Sequence, residues 1–388
     1  MSTQVISSDT SSADAALDPE RQEKARQYAR IERRLMVVGL ALGVVYMFAW
    51  LFFGWSQSLK DSLEAYSRNP WLLVALYALV FGGIYLLLSL PLSYYEGFVL
   101  PHRFGLSNQT LRDWIIDQLK MGLISGILGL LILEIIYAVL RAFPQTWWLW
   151  AAGILLVFNV VLANLAPVLL FPIFYKFEPL EDEYADLESR LISLAEGAGT
   201  HVRGVYKFDM SRRTKAANAG LTGLGNTQRI ILGDTLLDEF TPDEIETVLA
   251  HELGHHVHKD IPIGILVESV ITLVGLYLAS LALNWGALAL GFSGPADIAA
   301  MPWLGLVIGA YGLITMPLVN GYSRWRERRA DEYALQATGN GQAYASALTR
   351  LANQNLAEAE PEGWVEFLLY LHPALGKRIQ MARGGASS

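Results

Sequence analysis

The chain has 388 residues, 53% of them hydrophobic, and a mean hydropathy of +0.32, which excludes an ordinary soluble enzyme and indicates a membrane protein. Cysteine is absent, which removes disulfides, thiolate metal ligands and a cysteine nucleophile together, so any metal must be held by His and carboxylates. A formal net charge of -8 leaves no electrostatic footprint for nucleic acid.

Residues 1–34 read as a polar tail, disordered to about Asp18, followed by a basic flank of Arg21, Lys24, Arg26, Arg30, Arg33 and Arg34. The first apolar run starts near Leu35, too late for a cleaved signal peptide. Apolar runs at 35–55, 71–97, 119–142 and 147–175 make a membrane domain over 35–176, and runs at 262–286 and 302–322 supply two more crossings within 261–322. Each is long enough for a hydrocarbon core of ~30 Å. Lys and Arg concentrate at 98–118, 176–260 and beyond 322, and are sparse at 56–70, 143–147 and 287–301. The positive-inside rule then puts both termini and the 176–260 segment in the cytoplasm. Glu134, Asn159, Asn164, Glu268 and Asn320 interrupt the spans. Each alone reads as a helix-to-helix hydrogen bond, and together they fit a protein that encloses a wet chamber.

The segment 177–260 reads as cytoplasmic α+β, with a helix over Leu187 to Ala195 and a strand over Val202 to Asp209. Lys215 to Gly220 and Arg229 to Leu232 read as two strands around a loop at Gly223 to Thr227. An edge strand there would suit an extended peptide adding alongside, and a plain structural hairpin would give the same pattern. Thr241-Pro242-Asp243-Glu244 is a helix start, with Thr as N-cap, Pro at the first position and Glu closing a capping box. Ile245, Val248 and Leu249 recur at helical spacing, and the helix carries His251-Glu252-Leu253-Gly254-His255. Histidines four apart share a face, so His251 and His255 can bind one ion. The pattern is the signature of zinc metalloproteases, in which the metal lowers the pKa of its water towards ~7 and the intervening Glu252 takes the proton. His256 points off that face, and His258 lies about two turns from His251, so both read as non-ligands.

The last span runs into Ser323-Arg324-Trp325-Arg326-Glu327-Arg328-Arg329-Ala330-Asp331 without a helix break. A catalytic zinc takes three protein ligands and one open position, and without cysteine a two-His, one-Glu set follows, with Glu327 as third ligand. Asp331, four residues on, is placed to orient a ligating imidazole or assist proton transfer. Residues 323–388 are thus the cytoplasmic part that completes the zinc site. Leu371-His372-Pro373 reads alone as the lead into a helix bearing Lys377 and Arg378, although a His and an Arg reaching the metal would stabilise an oxyanion.

Taken together, these stretches resemble the type I CAAX prenyl proteases, integral-membrane zinc metalloendopeptidases. The resemblance runs from about residue 75 to 383. It includes Pro91-Leu92-Ser93-Tyr94-Tyr95, Gly97-Phe98-Val99, His102-Arg103-Phe104-Gly105-Leu106-Ser107, Thr110-Leu111 and Asp117-Gln118-Leu119-Lys120. Ala166-Pro167, Phe177-Glu178-Pro179-Leu180, Asn218-Ala219, Asp234-Thr235-Leu236-Leu237, His251 to His255, Ser323 to Asp331 and His372-Pro373 to Arg378 follow in the family's order. It implies a mainly α, polytopic fold, a helical barrel around an intramembrane chamber with a cytoplasmic gluzincin-like α+β zinc domain. It also implies one Zn2+ per chain on His251, His255 and Glu327, with Glu252 as general base. Asp331 takes a ligand-orienting or proton-donating role, Asn218 contacts the substrate backbone, and His372 with Arg378 stabilises the intermediate.

The expected partners are the lipid bilayer and a peptide or protein substrate, with a prenylated C-terminus as the family's CAAX-box processing would have it; no oligomer is implied. The chain departs from the eukaryotic members in showing six crossings where they have seven. Its compactness suggests a prokaryotic member in the cell inner membrane, against the endoplasmic reticulum membrane for a eukaryotic one, and prenylated substrates need not exist there. Rival readings are a quality-control protease for unprenylated misfolded or translocation-stalled proteins and a non-enzymatic zinc-dependent transporter. An intramembrane protease of the site-2 type is disfavoured because Asp243, Glu244, Glu246, Lys259 and Asp260 surround the motif.

Overall fold

A computed structural model describes residues 15–223 and 228–385. The expected tail up to residue 14 and the tip of the expected 223–227 loop lie outside the described residues. Among the described residues, six helices are long and apolar enough to cross a bilayer, as the sequence implies.

The first helix, α1 (Pro19–Phe52), begins earlier than the apolar run does. Asp18 accepts from the backbone N–H groups of Glu20 and Arg21, and Pro19 follows as the first helical residue, so the basic flank is helical and continuous with the span. Its start is fastened to the C-terminal part of the chain: Arg21 Nη1 donates to the Asn353 carbonyl (2.8 Å), and Gln22 Oε1 accepts from the Ala359 N–H (3.0 Å). After α2 (Trp55–Tyr66), α3 (Pro70–Tyr94) passes through a single π turn at Tyr95–Val99 into α4 (Leu100–Arg103). Next come α5 (Leu111–Ala142) and α6 (Trp147–Leu165), which continues through a second π turn at Ala166–Leu170 into α7 (Phe171–Phe174).

The segment between the fourth and fifth spans holds β1 (Phe177–Pro179), α8 (Ala185–Gly197), β2 (Val205–Phe208), β3 (Ala219–Thr222) and β4 (Arg229–Gly233). They form one sheet of order β1-β2-β4-β3, in which β3 and β4 pair antiparallel and β2 and β4 pair parallel. The three-residue β1 is too short to leave a periodic signal in the sequence. Helices α9 (Asp234–Glu239) and α10 (Pro242–Val257) follow, then the spans α11 (Asp260–Ala289) and α12 (Met301–Thr338), and finally α13 (Gly341–Gln354), α14 (Gly363–Leu369) and α15 (Leu375–Gly385).

The packing of the spans is cyclic. Helix α1 packs on α3, α3 on α5, α5 on α6, α6 on α11, α11 on α12, and α12 back on α1. Six helices joined in this order close a barrel, so each span presents one face outward and another to the lumen. The interrupting polar residues behave individually. Asn320 is buried and donates to the Leu368 carbonyl, Asn164 donates to the Val160 carbonyl of its own helix, and Asn159 and Glu268 are exposed. Glu134 has a buried carboxylate oxygen without a partner. A second core lies apart from the barrel: Leu187 and Leu191 of α8, Ile230 and Leu232 of β4, and Ile245, Leu249 and Leu253 of α10 pack together. This core anchors the helix on which the site is built.

Candidate metal centre

Helix α10 starts as the sequence predicts. Thr241 accepts from the Glu244 N–H (3.3 Å) while Glu244 Oε2 accepts from the Thr241 N–H (2.8 Å). The same Glu244 receives Ser346 Oγ and Arg350 Nε through its other oxygen, so the capping residue also fixes α13. With Ile245, Leu249 and Leu253 fixed in the core they share with α8 and β4, His251 and His255 emerge on the opposite side, towards α12.

Helix α12 answers with a stripe at matching spacing, where Glu327, Ala330, Asp331 and Ala334 are all buried. The two helices approach closely at Gly254, where a Cβ would lie 2.9 Å from the Ala330 Cα. Only glycine there permits the approach, and the approach brings the ligand groups together. His251 Nε2 is 3.3 Å from Glu327 Oε2, and His255 Nε2 is 3.4 Å from Glu327 Oε1. The three groups offer ligand atoms that all lie within 4.8 Å of one another. Glu327 Oε2 is buried and makes no aligned hydrogen bond, an expensive state for a carboxylate oxygen. An acceptor left over between two imidazole nitrogens is what a divalent metal would satisfy, so the residues fit the group. The side chains of Glu327 and Asp331 are both buried and do not form an exposed salt-bridged surface.

Each imidazole is held from behind through its other nitrogen. His251 Nδ1 lies 2.8 Å from Asp331 Oδ1, and Asp331 is fully buried. Arg378 donates to both Asp331 oxygens, from Nε (2.9 Å) and Nη2 (2.6 Å), and Tyr344 Oη donates to Oδ1 as well. Burial opposes protonation of His251, but Asp331 and Glu327 outweigh it and raise the imidazole to about 9. Burial holds the Tyr344 phenol well above its ordinary range, so it remains a donor. His255 Nδ1 donates to Asp260 Oδ2 (2.7 Å). Neither Tyr344 nor Asp260 is among the site residues expected from sequence. Asp260 has the look of a polar flank, and Tyr344 that of an ordinary helix aromatic. The signal that was available for Asp260 is its spacing of five from His255 across a helix end.

In front of the ligands is a cavity of about 840 Å³ whose wall includes Glu252, His251, Asn218, His372 and Arg378, with Tyr28, Ala29 and Glu32 of α1 among the residues closing it. Burial raises the Glu252 carboxyl above its ordinary value. His372 Nε2 lies 3.4 Å from Glu327 Oε2, near the ligand set. Arg378 lines the same cavity as His372, and its guanidinium donates to Asp331 behind His251. Asn218 is exposed at the start of β3, the sheet edge nearest α10. His256 lies 3.4 Å from Gln228 Nε2, and His258 stacks edge-on to Tyr333; neither joins the cluster.

Comparison with known proteins gives a consistent picture. Residues 5–176 match the family described as the CAAX prenyl protease N-terminal domain with five membrane helices, and residues 181–386 match peptidase family M48. Four of the six apolar spans fall in the first region, one fewer than that description. The chain is 30% identical over 370 residues to the uncharacterized metalloprotease YhfN of Bacillus subtilis, covering 94% of this chain and 86% of the relative. It is 29% identical to CAAX prenyl protease 1 of Saccharomyces cerevisiae, covering 94% and 86%. A crystal structure of S. mikatae Ste24p superimposes with a TM-score of 0.84 at 25% identity, covering 94% of this chain and 90% of that one. The chain therefore belongs to peptidase family M48, as a multi-pass membrane metalloprotease of the type I CAAX prenyl protease family.

Proposed function

We propose that the chain is a zinc-dependent endopeptidase that cleaves peptide bonds at the cytoplasmic mouth of its barrel, with His251, His255 and Glu327 as the ligands. The observation that carries this is the convergence of two imidazole Nε2 atoms on a buried carboxylate that has an unpartnered oxygen. Two His and one Glu is the donor set of catalytic zinc sites. Zinc, when bound, supplies a Lewis acid that polarises the scissile carbonyl and acidifies water.

The protein's own groups do the rest. Glu252, its carboxyl raised by burial above its ordinary value, takes the proton from the attacking water and returns it to the leaving amine. His372 stands beside Glu327 on the cavity side and donates to the oxygen on which charge develops. Asp331, Tyr344 and Arg378 keep the His251 ring and tautomer fixed. Asn218 and the free edge of β3 hold the substrate backbone in extended form. The cytoplasmic orientation is supported by the distribution of Lys and Arg, and by the fastening of the α1 start to residues 353–359, which keeps that end beside the metal centre.

The substrate class proposed is a polypeptide whose C-terminus carries a prenyl group, the lipid lodging in the barrel lumen while the peptide crosses the metal centre. The test is cleavage of matched farnesylated and unmodified CAAX peptides by detergent-purified protein, with Glu252→Gln as blank. Cleavage that needs the lipid upholds the proposal. Equal cleavage of both, absent in the blank, keeps the mechanism and moves the substrate to unprenylated membrane or stalled proteins.

A further inference from the structure

We infer that Asp260, the first residue of membrane span α11, is a positioning residue for the metal centre, fixing His255 as Asp331 fixes His251. The inference rests on the reading of His255 as a ligand. Asp260 is 1% exposed, and its Oδ2 accepts the His255 Nδ1 proton at 2.7 Å. A carboxylate accepts only, so Nδ1 carries the proton and the Nε2 lone pair is left facing Glu327, 3.4 Å away. The contact depends on an unusual turn: Lys259 adopts φ 55, a left-handed conformation rare outside glycine, between the end of α10 and the start of α11. That reversal brings the head of a membrane helix under the second histidine of the motif.

Asp260 is itself countered. Arg326 Nε lies 3.3 Å from the same Oδ2, and this nitrogen is buried without an aligned hydrogen bond, so the attraction is one of charge. Arg326 immediately precedes Glu327 on α12. The metal centre therefore has two imidazole–carboxylate–guanidinium chains, His251–Asp331–Arg378 and His255–Asp260–Arg326. The first is completed by C-terminal residues outside the bilayer, the second by residues on the two spans that enter it. Outer partners of ligating histidines typically alter metal affinity by ~10–100-fold when removed.

The test uses the full-length protein in detergent with Zn2+ and Co2+ as probes. Metal affinity is measured by competition with a chelator, and the visible spectrum of the Co2+ form reports ligand geometry. Asp260→Ala is expected to weaken metal binding by ~10–100-fold and to alter the Co2+ spectrum, and Asp260→Asn, which keeps an acceptor for Nδ1–H, to lose less. Arg326→Gln in the Asp260→Ala background is expected to add less than it costs alone. Wild-type affinity and spectrum in both Asp260 variants, whatever their thermal stability, would overturn the inference and leave Asp260 a structural residue. Failure of the wild type to bind one metal per chain would instead overturn the ligand reading beneath it. Asp260→Asn covers the case in which Asp260→Ala does not fold.

Discussion

Helices α10 and α6 are similar in length, 16 and 19 residues, and opposite in what they bury. α10 buries Glu244, Thr247 and His251 together with Ile245, Leu249 and Leu253. α6 buries only Trp147 and Ala151 and leaves Leu149, Val157 and Val161 exposed. One helix is packed in protein, where polar groups persist by being paired. The other stands in the barrel wall between lipid and lumen, where apolar side chains need no protein partner. The same side chains mean different things in the two places: an exposed Val on α6 is solvated by lipid, and a buried carboxylate beside α10 marks chemistry.

The largest effects are expected at the buried polar groups beside α10. Glu327→Ala should remove both bound metal and turnover, while Glu252→Gln should keep the metal and lower kcat by ~10²–10⁴-fold, the usual contribution of a general base. Metal analysis by mass spectrometry alongside peptide cleavage separates the two. Full metal occupancy in Glu327→Ala would sink its assignment as third ligand.

A pair of steric and polar substitutions exchanges the two environments. Gly254→Val pushes a branched side chain against the Ala330 backbone, already 2.9 Å from a bare Cβ. Overpacking of this kind costs ~1–3 kcal/mol, and here it parts the helices that carry the ligands, so metal affinity should fall along with the melting temperature. Val157 is 62% exposed and about 200° around α6 from Asn159, which places it outward if Asn159 faces the lumen. Val157→Asp should then reduce membrane insertion, at a cost of ~2.5–3.5 kcal/mol near the helix centre, while correctly inserted protein keeps its metal. Metal loss in inserted Val157→Asp, or a Gly254→Val that binds metal normally, would dissolve the contrast.

What could be read from sequence divides along the same line. The spans are legible because length and hydropathy alone suffice in lipid, and the metal helix because Thr241 to Glu244 form a local cap and His251 and His255 share a face. The pairing of α12 with α10 is half legible: Glu327 and Asp331 have the right spacing, but their meeting with His251 depends on Gly254 against Ala330, a contact that no local pattern encodes. Closure of the barrel by α1 on α12 joins residues almost 300 positions apart and leaves no periodic trace. Asp260 and Tyr344 are the clearest omissions, because their roles come from a left-handed Lys259 and from the fold of α13 onto the site. The direction of Arg378, towards Asp331, is likewise a tertiary fact.

The smallest expected effect concerns the segment that presents His372. Glu366 accepts from the Ala374 N–H (3.1 Å) and from Lys377 Nζ (2.6 Å), closing the turn around His372-Pro373. Burial alone would raise its carboxyl, but Lys377 and the Ala374 N–H outweigh burial and hold it below the ordinary value of 4.5. A depressed carboxylate contributes stability that is complete above its unfolded value and is lost as pH falls through the lower folded one. Lys377 is 66% exposed, so solvent screens the pair and the contribution should stay below ~1 kcal/mol. Thermal unfolding in detergent between pH 6 and pH 3.5 should therefore show a small acid-induced loss in the wild type, and Glu366→Gln should begin slightly lower and lose less over the same range. Peptide cleavage at neutral pH should show a lowered kcat in Glu366→Gln with metal content unchanged, because His372 loses its fixed turn while His251, His255 and Glu327 keep their places. An equal acid loss in both proteins would remove Glu366 from the account of how His372 is held.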